Sequence, residues 1–162
     1  QIPLFYNHKN TGRPLQNGKW FEKFRSNYFD VDNDALYPFG YGLSYTTFQY
    51  GDIVLNTPTM KQNETITATI QVTNSGKYDG AEVVQLYIRD LVGSITRPVR
   101  ELKGFKKVFL KAGESKTISF KITADLLRFY DYDLNQVTEP GEFDIFIGGS
   151  SQATKTARLT LK

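Results

Sequence analysis

The chain contains no cysteine, so disulfide staples, thiolate metal sites and cysteine nucleophiles are excluded together. A single histidine, His8, allows at most one imidazole-based triad, and an isolated ring of this kind favours a structural, hydrogen-bonding role. Long apolar runs are also missing. Nothing approaches the roughly 18 consecutive apolar residues that a membrane-spanning helix needs, and no signal peptide precedes the domain. Nor is there a strong excess of charge, since the net value of +3 arises from Lys and Arg interleaved with Asp and Glu. The densest basic stretch, Arg97 to Lys111, is interrupted by Glu101 and threaded by Leu102, Phe105, Val108 and Leu110. It reads as a strand with a lysine-rich edge that resists edge-to-edge pairing, not as a nucleic-acid groove.

What is present is period-two patterning. Ile66, Ala68, Ile70 and Val72 alternate with Thr67, Thr69, Gln71 and Thr73, so one face meets a core and a threonine-rich face meets water. Asn74-Ser75-Gly76 ends that strand, and Asp79-Gly80 supplies a pair that tolerates positive φ before the next. The next strand carries Val84, Leu86 and Ile88 inward. Further strands are predicted around Ile53 to Leu55, Val108 and Leu110, Ile118 to Ile122, Phe143 to Ile147 and Ala157 to Leu161. Lys111 to Ser115 and Glu139 to Glu142 are loop chemistry, and Asp125 is placed to cap a short helical turn through Leu126, Leu127 and Phe129. About seven strands make this an all-β chain, an immunoglobulin or fibronectin type III-like antiparallel sandwich without the antibody cysteine pair.

The first 44 residues have another texture. Thirteen of the 23 aromatic residues lie within the first fifty positions, yet only Ile2 to Tyr6 reads as a strand, and Gly12, Pro14, Gly18, Pro38, Gly40 and Gly42 break the rest. So much aromatic area with so little regular structure must pack on a partner, either the sandwich or a preceding domain. The opening Gln1-Ile2-Pro3-Leu4-Phe5-Tyr6 enters a strand midway and reads as part of a longer polypeptide. The expected division is residues 1–44 as remnant and linker, and residues 45–162 as the sandwich.

Motif tests remove several activities. Gly40-Tyr41-Gly42 fails as a dinucleotide loop because Tyr45 stands at the third glycine position, and Gly42 to Thr46 fails as a nucleophile elbow because Thr46 replaces its last glycine. Asp30-Val31-Asp32-Asn33-Asp34 alternates oxygen ligands, but Ala35 and Tyr41 occupy the glycine and glutamate positions of an EF-hand, which leaves an acidic surface turn and no assigned metal. Asn63-Glu64-Thr65 matches a glycosylation sequon. Carboxylates are plentiful, yet nothing pairs two of them across a cleft as glycoside hydrolysis demands. No catalytic residue is assigned.

Four strings, in order, carry a resemblance: Ile2 to Pro14, Leu36 to Phe48, Arg97-Pro98-Val99-Arg100-Glu101-Leu102-Lys103-Gly104-Phe105, and Pro140-Gly141-Glu142-Phe143. Together they resemble the C-terminal end of a bacterial periplasmic β-glucosidase of glycoside hydrolase family three, along essentially the whole chain. One local departure is Phe129-Tyr130, where related sequences often carry tryptophan. The resemblance implies a (β/α)₈-type barrel with the nucleophilic aspartate and an α/β sandwich domain with the acid/base glutamate, both upstream of Gln1. The implied parent reaction is retaining hydrolysis of terminal β-D-glucosyl residues, which needs no cofactor. By itself the chain would then be an inactive, noncatalytic portion of a periplasmic or secreted enzyme. Its partners would be the upstream catalytic domains of the same polypeptide, and the β-glucoside would be the parent's substrate. Asn10, Arg13, Trp20 and Tyr28 are the weak candidates for sugar-proximal or interdomain groups, because polar forks and aromatic faces suit a pyranose. A carbohydrate-binding or protein-interaction module is the alternative reading.

Overall fold

The computed structural model describes residues 5–14, 23–28 and 30–162. Among these, the strands in chain order are β1 (Phe48–Tyr50), β2 (Val54–Leu55), β3 (Thr59–Met60), β4 (Thr65–Asn74), β5 (Gly80–Asp90), β6 (Glu101–Leu110), β7 (Ser115–Thr123), β8 (Phe129–Tyr130), β9 (Gln136–Val137), β10 (Gly141–Gly148) and β11 (Thr156–Leu161). In one sheet β4 pairs antiparallel with β7 along its length, and its other edge is covered first by β1 and then by β2. The second sheet runs β3-β11-β10-β5-β6, antiparallel except where β3 joins β11. The first edge strand therefore switches sheets between Leu55 and Thr59. Pro58 sits in that crossover, where its missing N–H costs no ladder bond and its carbonyl still accepts from Thr160 N at 2.9 Å. Counting β1 to β3 as one broken edge strand, and setting the short β8-β9 hairpin aside, gives the seven positions expected of the sandwich.

The alternation places the core where the pattern predicts. Ile66, Ala68, Ile70 and Val72 of β4, with Ile118, Phe120 and Ile122 of β7 beside them, face Val84, Leu86 and Ile88 of β5, Phe143, Ile145 and Ile147 of β10, and Leu159 and Leu161 of β11, all in one buried cluster. β6 is an edge strand, as its lysines suggest. A register shift opposite Leu86 and Tyr87 leaves Lys103 unpaired, and from there Phe105 lies opposite Gln85 on the outer face, 67% exposed. The edge is tied across to β7 by Lys106 Nζ donating to the Ser119 carbonyl at 2.6 Å and Lys116 Nζ to the Phe109 carbonyl at 2.8 Å.

Some local expectations are corrected. Phe5 and Tyr6 lie in a bend and turn, with His8 N donating to the Phe5 carbonyl, and the rest of the anticipated first strand lies outside the described residues. The 3-10 turn spans Ala124–Leu127 with Thr123 at its cap position, so Asp125 sits inside the first turn and pairs with Arg128 at 2.8 Å. Phe129 already belongs to β8. Among the described residues positive φ is taken by Phe24, Gly40, Gly113 and Leu134 and not by the Asp79-Gly80 pair.

One polar side chain organises an end of the sandwich. Asn74, fully buried at the end of β4, accepts from the Thr46 hydroxyl at 2.6 Å and from Gly76 N at 3.1 Å, and donates to the carbonyls of Tyr78 at 2.8 Å and Leu110 at 3.1 Å. Its backbone bonds Glu114 and Gly113. Gly76 is required there because a Cβ would come within 2.2 Å of the Thr46 hydroxyl. Asn74→Ala would strand two carbonyls and a hydroxyl in the interior and should destabilise the chain by about 3 kcal/mol. Urea denaturation checks this as a lower midpoint at unchanged slope.

A second polar clamp, Tyr50 donating to Glu82 Oε1 at 2.6 Å, joins β1 to β5. Burial, opposed by the bonds from Tyr50 and Val83, holds the Glu82 carboxyl above its ordinary value of 4.5. The unfolded chain loses that proton at lower pH than the folded one. This contribution to stability is therefore complete below about pH 4.5 and is lost as pH rises through the folded value. Glu82→Gln keeps an acceptor for Tyr50, so the stability difference between it and the parent chain should grow in the variant's favour across that window. Thermal unfolding of both proteins against pH measures it.

Candidate functional site

The outer face of a solvent-exposed sheet ought to be wet, yet from Val84 to Ile88 of β5 both faces are buried. Tyr87 is 0% and Gln85 5% exposed although both sit on the outer side. The cover is the segment before β1. Tyr6 packs edge-on against Tyr87 at 5.9 Å between ring centroids and stacks on Phe39 at 4.2 Å. Lys9 bridges Pro98, and Val99 N donates to the His8 carbonyl at 2.9 Å. Further along, Ser151 N donates to the Phe39 carbonyl at 2.8 Å.

Under this strap the polar groups close a network. Tyr87 donates its hydroxyl to Gln85 Oε1, while Gln85 Nε2 donates to the carbonyls of Gly40 at 3.2 Å and Gly149 at 2.7 Å. Burial first, and the neighbouring Tyr6 second, push the Tyr87 hydroxyl up to about 12, against the pull of Arg100, so it remains a donor throughout the physiological range. Arg100 lies over the Phe146 ring at 4.2 Å and donates to the carbonyls of Ser151 and Ala153. These contacts join the strap, β5, β10 and the β10-β11 turn. Beside them runs an open groove of about 1070 Å³ lined by Tyr6, His8, Asp34, Phe39, Arg100 and Phe146 among others. His8 Nδ1 donates to the Lys9 carbonyl at 2.9 Å, which orients the ring.

The strap has an opposite side. Leu36 is 87% exposed, Leu43 90% and Tyr45 97%, and Tyr37 and Tyr41 are exposed and tilted against each other at 5.6 Å. Of the two anticipated fates the structure shows the first, since some rings cover the sandwich, while others form an exposed apolar surface.

Of the sequence-derived candidates, Asn10 is exposed at the rim of a second cleft, between β5 and β6. Arg13 is exposed, with its guanidinium 5.9 Å from the Phe24 ring centroid, in a separate hollow with Lys23 and Arg25. Tyr28 is half-buried, its amide held by Asn33 Oδ1 at 3.1 Å in the turn that carries the exposed Asp30, Asp32 and Asp34. Trp20 lies outside the described residues. Among the described residues no three acidic or imidazole side chains converge as a metal centre would require. Sequence reasoning passed over Gln85, Tyr87 and Arg100. Their available signal was a tyrosine and a glutamine at water-facing positions of an otherwise apolar strand, and an arginine inside the Arg97 to Phe105 string.

Comparison with known proteins gives a consistent picture. The profile of the fibronectin type III-like domain matches residues 82–151. Over 161 residues the chain is 48% identical to the periplasmic β-glucosidase of Salmonella typhimurium, covering 99% of this chain and 21% of that protein. It is 43% identical over 164 residues to a β-xylosidase of Formosa agariphila, covering 100% of this chain and 22% of that one. The crystal structure of a β-glucosidase from Listeria innocua in complex with glucose superposes with a TM-score of 0.92 at 39% identity, covering 99% of this chain and 22% of that one. The chain spans about one fifth of the length of the relatives it matches.

Gly40 is where the strap touches the network, with φ +80 and a would-be Cβ 2.1 Å from Gln85 Oε1. Gly40→Ala therefore meets both backbone strain and a side-chain clash. It should lower stability by more than about 1 kcal/mol and speed hydrogen exchange at the Ser151 amide, while the amides of β4 keep their protection.

Proposed function

From the premise that this chain belongs to the fibronectin type III-like C-terminal region of glycoside hydrolase family three, we propose that it is a noncatalytic part of a β-glucosidase and that it supports the packing of that enzyme's catalytic domains. In this reading residues 1–44 are the end of the preceding α/β sandwich domain and its linker, and residues 45–162 are the fibronectin type III-like domain. The single observation that carries it is the two-sided strap, whose inner rings bind it to the sandwich while Leu36, Tyr37, Tyr41, Leu43 and Tyr45 offer apolar area to a neighbour. The four fifths of the relatives' length that lies outside the match supplies a neighbour of the right kind.

The chemistry of the described carboxylates supports a structural role. Glu142 and Asp144 hold Arg158, Asp52 holds Lys155, Glu101 holds Arg97, Glu139 accepts from Ser94 N, and Asp79 accepts from Ala112 N. Retaining hydrolysis needs instead a nucleophile and an acid flanking a sugar, and by resemblance both belong to the upstream domains. Terminal β-D-glucosyl residues would be the parent's substrate, in the periplasm or outside the cell.

Two measurements test the reading. The purified chain should not turn over an aryl β-glucoside, and activity that survives removal of all full-length enzyme would overturn the proposal. Replacing Leu43 and Tyr45 together by serine should change the stability of the isolated chain by less than about 0.5 kcal/mol, because both side chains are already in water. The same pair in the full-length enzyme should lower its unfolding temperature and soluble yield. An unchanged full-length enzyme would sink the interdomain role.

A further inference from the structure

The open side of the sandwich lies where β6 of one sheet and β7 of the other run as edges. Among the described residues β6 pairs only with β5 and β7 only with β4, so each leaves a row of backbone groups with no strand beside it. Of the two, β6 is the greater liability. It spans ten residues, Glu101–Leu110, and its outer face carries Phe105 at 67% and Phe109 at 55% exposure beside Val83 of β5. A long edge with apolar side chains is a template for another strand, and folded proteins guard such edges.

The guard is visible in the direction of two lysines. Residues directly opposite in a ladder share a face, and Lys106 lies opposite Val84 while Lys116 lies opposite Val72, both core positions. Each ammonium therefore starts on the inner side of an edge strand, where it must find a partner. Lys106 crosses from β6 to β7, with its Nζ 5.5 Å from the Phe120 ring centroid, and donates to the Ser119 carbonyl at 2.6 Å. Lys116 crosses the other way. Its Nζ donates to the Phe109 carbonyl of β6 at 2.8 Å and pairs with Glu114 at 3.2 Å. The exchange is reciprocal, since each edge strand supplies one ammonium and one carbonyl. By contrast Lys107, opposite Val83, and Lys121, opposite Thr67, stand on the outer faces of the same two strands.

The carbonyl that Lys116 occupies is one that an incoming strand needs. Antiparallel strands point the backbone groups of alternate residues toward and away from their partner, so Phe105 and Lys107 share the phase of Phe109 and present theirs to the same open side. An added strand would have to displace Lys116 from Phe109 and push aside the crossing Lys106. A neutral N–H does so at a loss, because a charge-assisted bond is roughly twice as strong as the one replacing it. We propose that Lys106 and Lys116 form a reciprocal latch that closes the β6 edge to strand addition, and that the strand it excludes is β6 of a second copy of this chain. Two β6 strands meeting antiparallel about a two-fold axis are self-complementary, since each offers the other the same row of donors and acceptors. That pairing would also join the exposed Phe105 and Phe109 of both copies into one apolar face. The latch belongs to the sandwich itself and does not rest on the family reading.

Sedimentation velocity of the 162-residue chain over a concentration series, with hydrogen exchange on the same samples, tests the proposal. Lys106→Met with Lys116→Met keeps both stems and removes both donors, and it should dimerise at least about tenfold more tightly than the parent chain. The amides of Phe105, Lys107 and Phe109 should exchange more slowly in that dimer. Lys107→Met with Lys121→Met removes the same charge from the same two strands but leaves the latch, and it should sediment as the parent does. Lys106→Gln with Lys116→Gln, too short to cross and still polar, should associate like the inward methionine pair, and it decides the matter if that pair folds poorly. A glutamine pair that sediments as the parent does, equal association by the outward pair, or association that leaves those three amides unprotected would each overturn the latch. None of these outcomes bears on whether the chain supports its parent's domain packing.

Discussion

A tyrosine hydroxyl and a glutamine carboxamide buried on the outside of a sheet impose the constraint on which the rest of this structure depends. Left in water, Tyr87 and Gln85 would be ordinary polar residues of a half-exposed strand. Covered, they must be hydrogen-bonded: Tyr87 donates to the Gln85 carboxamide oxygen, and Gln85 in turn donates to the carbonyls of Gly40 and Gly149. The strap is therefore bound to the sandwich through a few obligatory polar contacts, with ring packing by Tyr6 and Phe39 supplying the apolar area. Because those contacts hold only one side of the segment, its other aromatic groups are presented outward on a rigid base.

Asn74 performs the matching task at the start of the sandwich proper. It receives the chain at Thr46, just before β1, and fixes the turns after β4 and β6 around a single carboxamide. The Tyr37 to Phe48 run is thus anchored twice, at Gly40 on the outer face and at Thr46 on the end of the core. Between these anchors the exposed Leu43 and Tyr45 are carried on a short, tethered span. A segment held in this way would carry the position of whatever packs on it to the sandwich, as the proposed supporting role requires.

Hydrogen-bonded carboxamides and a buried ion pair coexist in the same small domain. Asn74 and Gln85 are saturated, and their role is architectural. Asp90 and Arg97 are also well buried, but they meet as an ion pair at 3.6 Å while Arg97 gives its closer contact, 2.8 Å, to Glu101.

Much of this was legible from the order of residues. Strict alternation in β4, β5, β7, β10 and β11 identified the core positions because one face of each strand meets the opposite sheet and the other does not. The aromatic load of the first 44 residues signalled that they must pack on something. The shorter elements escaped: β1, β3 and the β8-β9 hairpin are two or three residues long and too brief to show a period. The position of Leu102 opposite the outer-face Tyr87 escaped because a bulge at Lys103 shifts the phase, and the cap at Asp125 because Thr123 enters the turn in extended geometry. The sequence alone determined an all-β sandwich, its inward residues and the irregular, aromatic-rich texture of the first segment. Only the tertiary structure decided that Tyr87 is buried, that Gly40 must be glycine and that Asp90 and Arg97 share a cleft. Periodicity reports which face of a strand a residue occupies, whereas burial on the outer face depends on contacts between segments far apart in the chain.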